Sequence, residues 1–168
     1  MKNRAKNEEC YLSECGKEDK ELNFIELNQY KYLFLDTIKS TNENPFAIII
    51  TLKTGEVSEQ TEDLTVGGVT IQDVRPIIEN ESIRIKVIFP SYVAYNIQRE
   101  TYSSGNDYDI FVGRNAREYS KSRYMEFVKS DTIASDEWPG ELKHFGISCC
   151  REIVDIISVD EPKIFIDA

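Results

Sequence analysis

Apolar and polar residues alternate through residues 83–98. Ile83, Ile85, Val87, Phe89, Val93, Tyr95 and Ile97 share one parity, and Arg84, Lys86, Asn96 and Gln98 share the other. A period of two over this length is the mark of a strand with one buried face. The pattern predicts one long strand with all seven apolar side chains directed inward. Pro90 cannot donate to a sheet ladder, so a bulge, a bend or an edge position is expected there. Residues 79–82 read as a turn pairing this strand with residues 75–78. Further strands are expected over residues 32–38, 46–53 and 69–74. Residues 142–150 and 153–159 read as two strands joined at Arg151 and Glu152, and residues 164–166 as a last short one. Residues 56–63 form an acidic loop, and residues 108–117 read as a hairpin turning at Gly113-Arg114-Asn115.

Helical signals are fewer. Ser120 fits an N-cap, followed by Tyr124, Phe127 and Val128 at spacing i, i+3, i+4, which predicts a short amphipathic helix ending near Ser130. Residues 22–31 suit helix or strand. Residues 1–20 are polar and charged, the pattern of a loose arm or short helix. No internal repeat or linker interrupts residues 1–168, so a single domain is expected. The fold class that follows is α+β: a strongly curved, mostly antiparallel sheet, half-barrel or sandwich-like, with one or two short helices.

Composition adds to this picture. Apolar residues make up 40% of the chain and charged residues 30%, a globular rather than a disordered balance. The net charge of −10 repels phosphate backbones and anionic bilayers. Neither nucleic acid nor membrane is therefore expected as a partner. The acid is uneven: residues 131–168 carry nine acidic and three basic side chains, whereas residues 82–130 carry five and eight. The basic cluster of Arg114, Arg117, Lys121, Arg123 and Lys129 reads as an internally salt-bridged face. No apolar run is long enough for an export signal or a membrane span, which points to the cytoplasm.

Chemistry-bearing motifs are sparse. Phosphate-loop, dinucleotide and nucleophile-elbow signatures are absent, and so are His-Glu-x-x-His and Cys-x-x-Cys. The four cysteines are expected to be free thiols. Cys10 and Cys15 lack a good second half for a zinc site in the adjacent Cys149-Cys150, so no metal or other cofactor is expected. The single histidine, His144, is a candidate general base if a carboxylate such as Asp155 orients it. A hairpin centred on Arg151-Glu152 would set the two four residues out of register, too far for a direct bond. Tyr95, Glu100, Tyr102 and His144 are the candidate lining of a pocket at a strand end.

Residues 92–102 (YVAYNIQRETY), 119–127 (YSKSRYMEF) and 143–158 (KHFGISCCREIVDIIS) resemble segments of small bacterial proteins with no assigned activity. The resemblance covers much of residues 71–162 and implies no functional residue. Two classes of function remain. The first is an acidic module that binds a basic protein, in its concrete form an immunity protein that occludes a cognate nuclease toxin. Its candidate docking residues are Asp136, Glu137 and Glu141, then Glu59, Glu62 and Asp63. The alternative is a small enzyme or ligand-binding domain using the pocket near Tyr95, Glu100 and His144.

Overall fold

The computed structural model describes residues 22–167. The expectations for the polar N-terminal arm and for Cys10 and Cys15 lie outside the described residues. A short 3-10 helix, Phe24–Gln29, is followed by β1 (Tyr32–Ser40), β2 (Ile48–Val57), β3 (Glu62–Val66), β4 (Val69–Val74), β5 (Ile77–Phe89) and β6 (Tyr92–Arg99). Then come β7 (Ile110–Val112), β8 (Ala116–Lys121), the helix α1 (Arg123–Asp131), β9 (Lys143–Ser148), β10 (Glu152–Ser158) and β11 (Lys163–Asp167). The strands form an antiparallel sheet β1-β2-β5-β11, a second antiparallel sheet β6-β10-β9-β8-β7, and a separate ribbon β3-β4. The sheets stay open and do not close into a barrel. Among the described residues, no helix is long and apolar enough to cross a membrane.

Both sheets contribute to one core. Leu33, Ile50, Leu52, Ile85, Val87 and Phe89 come from the first sheet, and Phe145, Ile147, Val154 and Ile156 from the second. Phe24 from the 3-10 helix meets Phe145 at 5.1 Å between ring centroids, and Phe89 meets Phe145 at 5.5 Å. These offset and edge contacts suit the quadrupoles of the rings. A second, smaller cluster places Val128 of α1 against Ile157, Leu142 and Ala134, with Tyr124 and Met125 beside them. α1 thus packs on the face of the second sheet that is turned away from the main core.

The long alternating run divides at Pro90. Ile85, Val87 and Phe89 are buried as predicted, but Tyr95 and Ile97 are 44% and 45% exposed. Residues 90 and 91 turn the chain out of the first sheet, and β6 becomes an edge strand of the second. A bulge opposite Ile157 and Ser158 then shifts the register at Val93. An edge strand has a neighbour on one side only, which leaves the far half of its inward face uncovered.

Residues 79–82 do not turn. β5 continues through them with an irregularity, and β2 pairs with both halves: Lys53 faces Arg84 and the next residue, Thr54, faces Asn80. The extra residues bulge out. Lys53 anchors this bulge through Glu81 at 2.7 Å, Glu79 at 3.2 Å and Asp36 at 3.6 Å. Beyond the bulge, β2 and β5 continue outward and carry the β3-β4 ribbon at their tip. Gly67 and Gly68 close that ribbon with φ of +59° and +83°, the left-handed pair a two-residue hairpin turn requires.

Candidate functional site

Two features bear chemistry: a buried polar chain around His144 and the distribution of unpaired carboxylates. β8 continues to Lys121, so the helix cap is Ser122 rather than Ser120. The Ser122 hydroxyl accepts the Met125 N–H at 3.0 Å. The same oxygen lies 2.7 Å from His144 Nδ1, and His144 Nε2 lies 3.1 Å from Asp155 Oδ1. In the Nε2–H tautomer, His144 accepts from the Ser122 hydroxyl and donates to Asp155.

The hairpin register explains this contact and corrects the sequence expectation. Ile153 pairs with Ser148, so His144 faces Ile157 and Asp155 faces Gly146. His144 and Asp155 are therefore diagonal neighbours on one face, within reach of each other. Gly146 leaves the space between them: a Cβ there would sit 2.9 Å from the Tyr119 ring and 3.5 Å from Asp155 Oδ1. The Tyr119 ring stacks on the imidazole at 3.9 Å and 12°, and the Tyr124 ring meets it edge-on at 5.7 Å. Desolvation pushes the Tyr124 hydroxyl up to about 12, and burial also raises that of Tyr119.

The order Ser–His–Asp resembles a hydrolytic triad, but its geometry serves another purpose. Ser122 is 2% exposed and His144 3% exposed. The hydroxyl is held as a helix cap, and the two tyrosine rings cover the imidazole. A nucleophile must reach a carbonyl carbon, and this one faces protein. What the chain does is fasten the N-terminus of α1 to β9 and β10.

The expected pocket residues do not converge. Tyr95 pairs with Ile156, whereas His144 pairs with Ile157, so alternation sets them on opposite faces of the sheet. Tyr102 is 85% exposed in the short turn after β6, and Glu100 is exposed beside it. Glu100 instead borders an open groove with Lys31, Ile77, Arg114 and Cys150.

The acidic candidates separate into two places. Asp136, Glu137 and Glu141 are exposed on the connection after α1, next to Trp138. Asp136 is paired with Lys129 at 3.1 Å. Glu59, Glu62 and Asp63 are exposed on the outer part of the β2–β5 arm. Residues 54–81 hold seven acidic side chains and one basic one. Glu79 and Glu81 are paired with Lys53, and Arg151 lies 3.5 Å from Glu79. Among the described residues, Glu59, Glu62, Asp63 and Asp73 have no cation within ion-pair distance.

The basic cluster is not the salt-bridged face that the sequence suggested. Only Lys129 of that group makes an ion pair among the described residues. Arg117 lies over the Phe111 ring, and Lys121 and Arg123 over that of Tyr108, so π faces take the place of carboxylates. Sequence reasoning also missed Asn28. Its Oδ1 accepts the N–H groups of Arg114, Asn115 and Ala116 at 2.8, 2.7 and 3.1 Å, and its Nδ2 donates to the Ala116 carbonyl at 2.8 Å. This one side chain holds the β7–β8 turn to the 3-10 helix. No local pattern announces a contact across more than eighty residues.

Among the described residues, no group of three or more His, Cys, Asp or Glu side chains could hold a metal ion. Comparison with family models, with curated proteins and with solved structures finds no match.

Proposed function

We propose that the chain is a protein-binding module that docks on a basic protein, steered by charge. The observation that carries this reading is the arm over residues 54–81, where Glu59, Glu62, Asp63 and Asp73 project without a cationic partner among the described residues. Unpaired like charges on a projecting element repel one another and favour a complementary surface. The Asp136, Glu137 and Glu141 surface is the second contact, with exposed Trp138 at its centre as an aromatic anchor. In its concrete form the module is a cytoplasmic immunity protein that occludes a cognate nuclease toxin. A nuclease carries a basic cleft for phosphate, and an acidic blade fits that cleft without catalysing anything.

The experiment is co-expression with the product of the adjacent gene. Cells expressing that product are expected to survive only when this chain is present, and the two proteins are expected to co-purify. A partner of acidic or neutral surface, or no complex at all, would overturn the proposal.

A further inference from the structure

The ribbon β3-β4 is amphipathic, and its apolar face has no cover. Leu64 pairs with Ile71 and Val66 with Val69, which puts these four side chains on one face. Thr65 and Thr70 pair on the other, their hydroxyls 3.0 Å apart. Alternation of this kind is the pattern of a half-buried sheet. Yet Leu64, Val66, Val69 and Ile71 are 43%, 61%, 66% and 52% exposed. No residue of either strand is buried. A two-stranded hairpin is marginal in water without a helix or a third strand against it.

We infer that this face is the docking site for an amphipathic helix of a partner protein, its apolar stripe flanked by lysine or arginine. The inference rests on the binding reading above and names the partner's contact element. Size favours a helix. Three residues per strand and two strands make a face roughly 10 Å long and 5 Å between backbones, which one helix of about 10 Å diameter covers in two turns. Charge sets the flanks: Glu62, Asp63 and Asp73 border the aliphatic patch, and none has a cation beside it among the described residues. Charge also disfavours a second copy. Two ribbons packed face to face would bring their own carboxylates together, a like-charge juxtaposition that costs stability.

The test uses the full chain, labelled with ¹⁵N, and two synthetic 14-residue amphipathic peptides. One is a leucine–lysine helix and the other a leucine–glutamate helix of the same pattern. The lysine peptide is expected to shift the amide signals of residues 62–74 and to bind more weakly as salt rises. The paired substitution Val66→Thr and Ile71→Thr keeps strand propensity and should weaken binding on the order of tenfold. Glu43→Gln with Asp107→Asn, two exposed carboxylates outside both acidic surfaces, should leave it unchanged. Shifts mapping to residues 133–141 instead would overturn this inference and leave the binding reading standing. Equal binding of the glutamate peptide would remove the charge steering on which both rest. Absence of lysine-peptide binding at millimolar concentration would overturn the inference. So would self-association of the free chain that the Val66→Thr, Ile71→Thr variant abolishes.

Discussion

Replacing His144 with alanine should destabilise the protein by about 3–5 kcal/mol, the range for truncating a large buried ring. The structure supplies the terms. The imidazole is 3% exposed and stacked on Tyr119 at 3.9 Å, so its removal leaves a void between β8, β9 and α1. Two hydrogen bonds disappear, to Ser122 at 2.7 Å and to Asp155 at 3.1 Å. A bond to a charged acceptor contributes roughly 1.5–3 kcal/mol and a neutral one about 1 kcal/mol. His144→Phe separates the two effects: it restores most of the volume and leaves only the polar loss. Urea unfolding with an unchanged slope gives both values. A double-mutant cycle with Ser122→Ala isolates the coupling between cap and imidazole, expected at about 0.5–3 kcal/mol for residues in one network. Hydrogen exchange should show α1 losing protection before the first sheet does. A cost below about 1 kcal/mol for His144→Ala, with α1 still protected, would refute the claim that this chain of bonds fastens the helix.

Asn28→Ala should cost about 3 kcal/mol by urea unfolding, because three part-buried backbone groups, Asn115 N, Ala116 N and Ala116 O, lose their partner. Cys149, its thiol pushed up to about 12 by burial, should resist alkylation at pH 8 in the native protein and react on unfolding, as read by peptide mass spectrometry. Glu81 is held below the usual carboxylate range chiefly by its hydrogen bond to Lys53. A lowered folded value means a contribution present at neutral pH and lost as pH falls through that value. Protection factors of the amides at residues 79–84 should therefore drop on acidification, and Lys53→Met should remove that pH dependence.

Much of the strand pattern was legible in the sequence, because alternation is local and one buried face writes it directly. Residues 83–89, 142–150, 153–159 and 164–166 all lie in or overlap strands of the structure. What failed was sheet membership. Nothing in the side chains of Tyr95 and Ile97 records that β6 ends as an edge strand, and that fact alone leaves their face open. The helix lies where its spacing predicts, but it starts two residues later, after Ser122, and its buried line falls on Tyr124, Met125 and Val128 while Phe127 is 57% exposed. The His144–Asp155 contact was lost through a register difference of two residues, since hairpin register depends on loop geometry that the sequence only brackets. Residues 69–74 form the expected strand, but its partner β3 and its uncovered face depend on a pairing that local alternation does not encode.

If unpaired acid on the arm steers the chain onto a basic partner, as proposed, salt must slow their association. The direct measurement is the association rate constant for the partner obtained by co-purification, followed across ionic strength. Wild-type chain is compared with the variant Glu59→Gln, Glu62→Gln, Asp63→Asn. The rate should fall steeply as salt rises, and the variant should associate on the order of tenfold more slowly at low salt, converging with wild type at high salt. A wild-type rate that does not change with salt, or a variant that associates as fast at low salt, would contradict the account.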